Sequence, residues 1–131
     1  MNITRMIAVA SVLISTAAVA DQSGVQFEIV LMRDGKVVSS PKVIGQFGQR
    51  VALAQGDVMK FEGSATVPDS EGNSFTAVKL HLFEGGEMRP IQDMSMLANL
   101  TKTPSFEYSV PGTNARFVVM PRLVKLPDSK G

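Results

Sequence analysis

The chain has 131 residues, 44% of them apolar and 19% charged, with thirteen Lys plus Arg against twelve Asp plus Glu. That size suits one compact domain, and so even a charge balance excludes a nucleic-acid binder working through a basic face. The absence of Cys excludes disulfides and thiol chemistry, and with one His, His81, a His-based catalytic dyad has a single place to form. No motif discloses a specific activity. Location and construction are better encoded.

The chain opens Met1-Asn2-Ile3-Thr4-Arg5, continues as an apolar run from Met6 to Ile14, and passes through small residues to Ala18-Val19-Ala20 before Asp21. A short basic start, an apolar stretch too short to span a bilayer and an A-x-A ending describe a secretory signal peptide, cleaved after Ala20. Residues 1–20 are therefore read as leader and 21–131 as one domain. Loss of Arg5 leaves equal numbers of basic and acidic side chains. Binding by the mature form then depends on short-range shape rather than long-range attraction. After cleavage no membrane-spanning segment is expected.

In residues 25–33, Val25, Phe27, Ile29 and Leu31 alternate with polar positions, the period of a half-buried strand. Asp34-Gly35 follows, a strong signal for a type I′ hairpin turn. The returning strand is interrupted at Ser40-Pro41, because Pro41 has no N–H for the ladder, so an edge position or a bulge is expected. Residues 42–45 resume an extended run, 46–49 turn, 50–54 are extended and 55–57 turn again. The cleanest alternation lies in residues 58–67, where Met59, Phe61, Gly63, Ala65 and Val67 share a face. Gly63 marks a bulge or a close approach.

Residues 68–73 carry turn chemistry at nearly every position. Thr76, Val78, Leu80 and Leu82 then share a face opposite Ala77, Lys79 and His81, and Glu84-Gly85-Gly86-Glu87 ends that strand. In residues 88–100, Ile91, Met94 and Leu97, and Met96 and Leu100, are spaced as on a helical turn while Pro90 limits where one could begin, so a loop with one short helix is expected. Phe106, Tyr108 and Val110 alternate, residues 111–114 turn, and 115–126 form a last strand that Pro121 places at the periphery or bends. Seven or eight short strands with frequent turns indicate an all-β fold, an antiparallel β-sandwich or small barrel. The strands are too short for a transmembrane barrel.

Within residues 35–57, Val38-Ser39-Ser40-Pro41-Lys42-Val43, followed by Gly48-Gln49 and a short apolar strand, resembles the β-hairpin of the bacterial secretin family. Secretins form outer-membrane export channels in secretion and pilus systems. The resemblance implies a free-standing relative of that β-module, too short to carry pore formation, and it transfers no site residues. It points to an envelope protein as partner. Since Pro41 interrupts a ladder, Ser39, Ser40, Pro41, Lys42 and Val43 are the candidate binding residues of an edge strand that a partner pairs with.

The chemical constellations are sparse. His81, Glu84 and Glu87 have zinc-type ligand spacing, but across a strand end and a turn where solvated side chains are the ordinary reading. His81 with Met88, Met94 and Met96 offers an imidazole and thioethers suited to Cu(I), a ligand set similar to that of exported β-sandwich copper carriers without their spacing. Met in a core poor in aromatics otherwise fills gaps. No serine lies in a G-x-S-x-G turn. The carboxylates Asp69 with Glu71 and Glu84 with Glu87 lie in turns, and Asn99-Leu100-Thr101 matches a glycosylation acceptor. The expectation is a non-enzymatic periplasmic or secreted domain acting by protein–protein contact, without cofactor, beside an envelope secretion or pilus assembly. A Met/His copper carrier is the alternative.

Overall fold

A computed structural model describes residues 23–126. The expected leader at residues 1–20, residues 21–22 and the tail at 127–131 lie outside the described residues. Nine strands and one short 3₁₀ turn make up the described chain: β1 (Ser23–Arg33), β2 (Lys36–Ser39), β3 (Lys42–Gln46), β4 (Val51–Gln55), β5 (Met59–Ala65), β6 (Asn73–Glu84), β7 (Glu87–Asn99), the turn Leu100–Lys102, β8 (Phe106–Ser109) and β9 (Ala115–Lys125). They form two antiparallel sheets, as expected for a β-sandwich. One has β1 and β9 at its centre, with β8 outside β9 and with β2 and β3 in succession along the far side of β1; the other runs β4-β5-β6-β7. Among the described residues no helix is long and apolar enough to cross a membrane.

The alternation read in the sequence is the alternation that packs. Val25, Phe27, Ile29 and Leu31 of β1 and Phe117 and Val119 of β9 face Met59 and Phe61 of β5 and Val78, Leu80 and Leu82 of β6, all of them buried. Phe27 and Phe61 meet across the sheets with ring centroids 5.1 Å apart and planes inclined by 53°. Three fully buried Phe rings carry much of the cohesion, since truncating one such ring costs roughly 3–5 kcal/mol. Gly63 accommodates a close approach and no bulge: a Cβ built there would lie 2.5 Å from Phe61 Cζ and 3.3 Å from Phe27 Cζ.

The first hairpin turns as expected, with positive φ at both Asp34 (52°) and Gly35 (76°), the requirement of a type I′ turn. Its tip is tied to the loop before β9, where Asn114 Nδ2 donates to Asp34 Oδ1 at 2.7 Å. Residues 68–73 form the expected loop, organised by Asp69, whose Oδ1 accepts from the amides of Glu71 (2.9 Å) and Asn73 (3.0 Å). Those amide donors hold the Asp69 carboxyl below its usual range.

Three expectations need correction. Residues 88–100 are a long edge strand, not a loop with a helix, and the reason is a bulge. Leu80 pairs with Gln92 but His81 with Pro90, leaving Ile91 as the extra residue. The insertion reverses side-chain parity, so the run beginning at Gln92 alternates out of phase with the residues before it. Residues 42–55 do not form a hairpin: β3 pairs with β1 and β4 with β5, so the turn at Gly48 carries the chain from one sheet to the other. Finally, β9 is an interior strand. Ile29 directs its N–H to the Pro41 carbonyl (3.0 Å), away from β9, and Phe27, two residues earlier, has the same orientation. Its partner Pro121 therefore turns its ring nitrogen toward the far side of β9, which β8 does not reach beyond Val119.

Candidate functional site

The structure uses most of the sequence-derived edge internally. Ser39 Oγ donates to Gln55 Oε1 of the opposite sheet at 2.8 Å, the Pro41 carbonyl accepts from Ile29, and Val43 packs against the core. Ser40 and Lys42 are exposed. The segment is an edge as expected, but β4 leans against it.

The candidate copper ligands are divided between the two faces of one sheet. Met94 and Met96 stand opposite Val78 and Thr76, whose side chains point into the sandwich, and both pack against the core. His81 has the other parity, between Lys60 on β5 and Pro90 on β7, and Met88 pairs with Phe83 on that same outer face. His81 Nδ1 is shielded and has no hydrogen-bond partner among the described residues. The zinc-type trio is not assembled either. Glu84 bonds Arg33 at 3.2 Å and Glu87 approaches Arg89 at 3.8 Å, and no group of three His, Asp or Glu among the described residues is placed to hold a metal. Asn99 is engaged in the fold: its Nδ2 donates to the Glu71 carbonyl at 3.0 Å and its Oδ1 accepts from the Thr101 amide.

The outer face of the β4–β7 sheet is built as cross-strand rows. Ala54, Lys60, His81 and Pro90 form one row; Ala52, Glu62, Lys79 and Asp93 the next; then Ser64, Ala77 and Ser95; then Phe75 and Leu97. The row of small side chains floors a shallow depression of about 370 Å³, flanked by Arg50, Glu62, Lys79 and Asp93. Charges alternate along that flank, and Arg50 and Lys60 approach Glu62 at 3.5 and 3.4 Å. On the other flank Phe75 and Leu97, paired directly across the strands, are 65% and 61% exposed. Val67, also 65% exposed, follows Thr66, whose amide donates to the Phe75 carbonyl.

Comparison with protein-family models, curated proteins and solved structures finds no match to this chain.

The outer face was not singled out by sequence reasoning, although one signal was there. Phe75 carries a large apolar side chain at the parity of Ala77, Lys79 and His81, the polar side of its strand. Leu97 gave no such signal, because the bulge at Ile91 hid the phase of β7.

Proposed function

We propose that this is a non-enzymatic, exported β-domain that works by contact with another protein through the outer face of its four-stranded sheet, beside an envelope secretion or pilus assembly. The observation that carries the reading is the Phe75–Leu97 pair. Two large apolar side chains stand side by side on the solvent face of a sheet whose other face packs into the core, next to a depression rimmed by both signs of charge. Such a juxtaposition fits a partner segment that lays an apolar side chain on Phe75 and Leu97 and matches the Arg50, Glu62, Lys79 and Asp93 rim. Placement in the envelope is supported by the leader pattern ending at Ala20 and by the likeness of residues 35–57 to the secretin β-module, a likeness of residue pattern alone, since these strands divide between two sheets.

The test is affinity capture from envelope extract with the purified protein, alongside the variants Phe75→Ser and Lys79→Ala. Wild type is expected to retain a specific partner that Phe75→Ser loses, with the thermal midpoint of the variant unchanged. Capture that is indifferent to Phe75→Ser, or no partner at low and at physiological salt, overturns the reading.

A further inference from the structure

β7 is an edge strand of thirteen residues guarded at one end only. At that end Pro90, the bulge at Ile91 and the Tyr108 hydroxyl, which donates to the Ile91 carbonyl at 3.4 Å, all obstruct further pairing. Residues 92–99 carry none of these devices, and Asp93 is their only charged side chain.

The direction of the backbone groups follows from the ladder. Phe75 points its carbonyl at Thr66 on the β5 side. In an antiparallel ladder the N–H and C=O of one residue point the same way and alternate along the strand. Ser74, Thr76, Val78 and Leu80 therefore bond toward β7, where their partners are Ala98, Met96, Met94 and Gln92. Asp93, Ser95 and Leu97 are left with N–H and C=O pointing away from the sheet. The Ile91 carbonyl, on the same parity, points outward to Tyr108, in agreement with this phase.

We infer that β7 pairs antiparallel with β7 of a second copy of this chain, about a two-fold axis through Ser95, joining two four-stranded sheets into one of eight. In this register Ser95 faces Ser95, and Asp93 faces Leu97 of the other copy. Every outward N–H and C=O of these residues finds a partner. The backbone groups are self-complementary, and the register keeps the two Asp93 carboxylates apart, each opposite Leu97 of the other copy, so that no like charges face each other. On the inner face, Met94 of each copy meets Met96 of the other, covering side chains that the single chain leaves partly exposed. The inference shares Asp93 and Leu97 with the outer-face reading but uses their outward backbone groups, whereas that reading uses the exposed side chains of Phe75 and Leu97. An interface of this length lies at the small end of specific contacts, so the dimer is concentration-dependent.

The experiment uses the purified protein and the absence of Cys. Ser95→Cys places two thiols at a hydrogen-bonded pair, where the Cα atoms lie about 5.5 Å apart, a separation suited to a disulfide; Asp93→Cys offsets them. Sedimentation velocity of wild type from low micromolar to submillimolar concentration is expected to show a doubling of mass. Ser95→Cys is expected to cross-link on mild oxidation while Asp93→Cys, still able to pair, does not. Ser95→Pro removes only an outward N–H, so it is expected to abolish the mass increase and keep the wild-type thermal midpoint. A wild type that stays monomeric throughout overturns the inference and leaves the edge to a strand of another protein. Equal cross-linking of the two Cys variants, or an undiminished dimer in Ser95→Pro, also overturns it.

Discussion

Gly63→Ala sets two opposed effects against each other at the centre of the core. Gly63 lies mid-strand in β5, and its φ lies outside the left-handed range, so alanine is conformationally allowed. By itself the exchange stabilises a folded chain by about 0.4–1 kcal/mol, through the lower entropy of the unfolded state. The added methyl, however, falls 2.5 Å from Phe61 Cζ and 3.0 Å from Cε2, inside any tolerable carbon contact. The Phe61 ring has no free direction in which to retreat, being fully buried and held against Phe27 at 5.1 Å. Overpacking of this kind costs about 1–3 kcal/mol and outweighs the entropic gain. For a domain near this size each kcal/mol moves the midpoint by about 4–8 °C, so the variant is expected to melt roughly 5–15 °C below wild type. Calorimetry and urea unfolding measure this. The double variant Phe61→Leu with Gly63→Ala, which vacates the contested volume, is expected to lose less than the sum of the two single changes. A Gly63→Ala variant as stable as wild type, or strict additivity in the cycle, would refute the steric reasoning.

Two further expectations concern the loop at Asp69 and the strand at Pro121. The folded Asp69 pKa lies below its unfolded value, so its stabilisation is complete above the unfolded carboxylate range, near pH 4, and fades as pH falls through the folded value. The stability gap between wild type and Asp69→Ala, read from urea midpoints, is therefore expected to be constant from neutral to mildly acidic pH and to narrow below about pH 4; a gap that widens on acidification contradicts the assignment. Pro121→Ala restores an N–H on the side of β9 that β8 does not reach, so the variant is expected to keep β9 in register and to gain an amide that exchanges rapidly with solvent. Strong protection of that amide would show that the far side of β9 is paired after all.

Where one residue in two reports the core, the sequence was legible. The parity of β1, β5 and β6 followed from apolar alternation alone, and Asp34-Gly35 specified its own turn. β7 was illegible because one inserted residue at Ile91 shifts the phase midway, so that neither half shows enough alternation to register. Pro121 misled for a different reason: proline excludes a strand position only where a hydrogen bond is required, and which side of β9 is unpaired depends on the length of β8. The candidate site divides in the same way. Phe75 could be read as an apolar intruder on a polar face, whereas the outward groups of Asp93, Ser95 and Leu97 belong to the backbone and leave no trace in residue type. His81, Met94 and Met96 had suitable chemistry, but side-chain parity puts the imidazole and those thioethers on opposite faces.

The pairing of β1 with β9 along eleven residues has a bearing on when this chain acquires its shape. The first strand finds its principal neighbour only at the far end of the sequence, so the five-stranded layer cannot assemble during emergence and must wait for the last segment. Closing so long a loop makes folding slow relative to chains built from local contacts. Until that moment Val25, Phe27, Ile29 and Leu31 remain uncovered by β9, and the apolar side of the first strand stays open to non-native contacts.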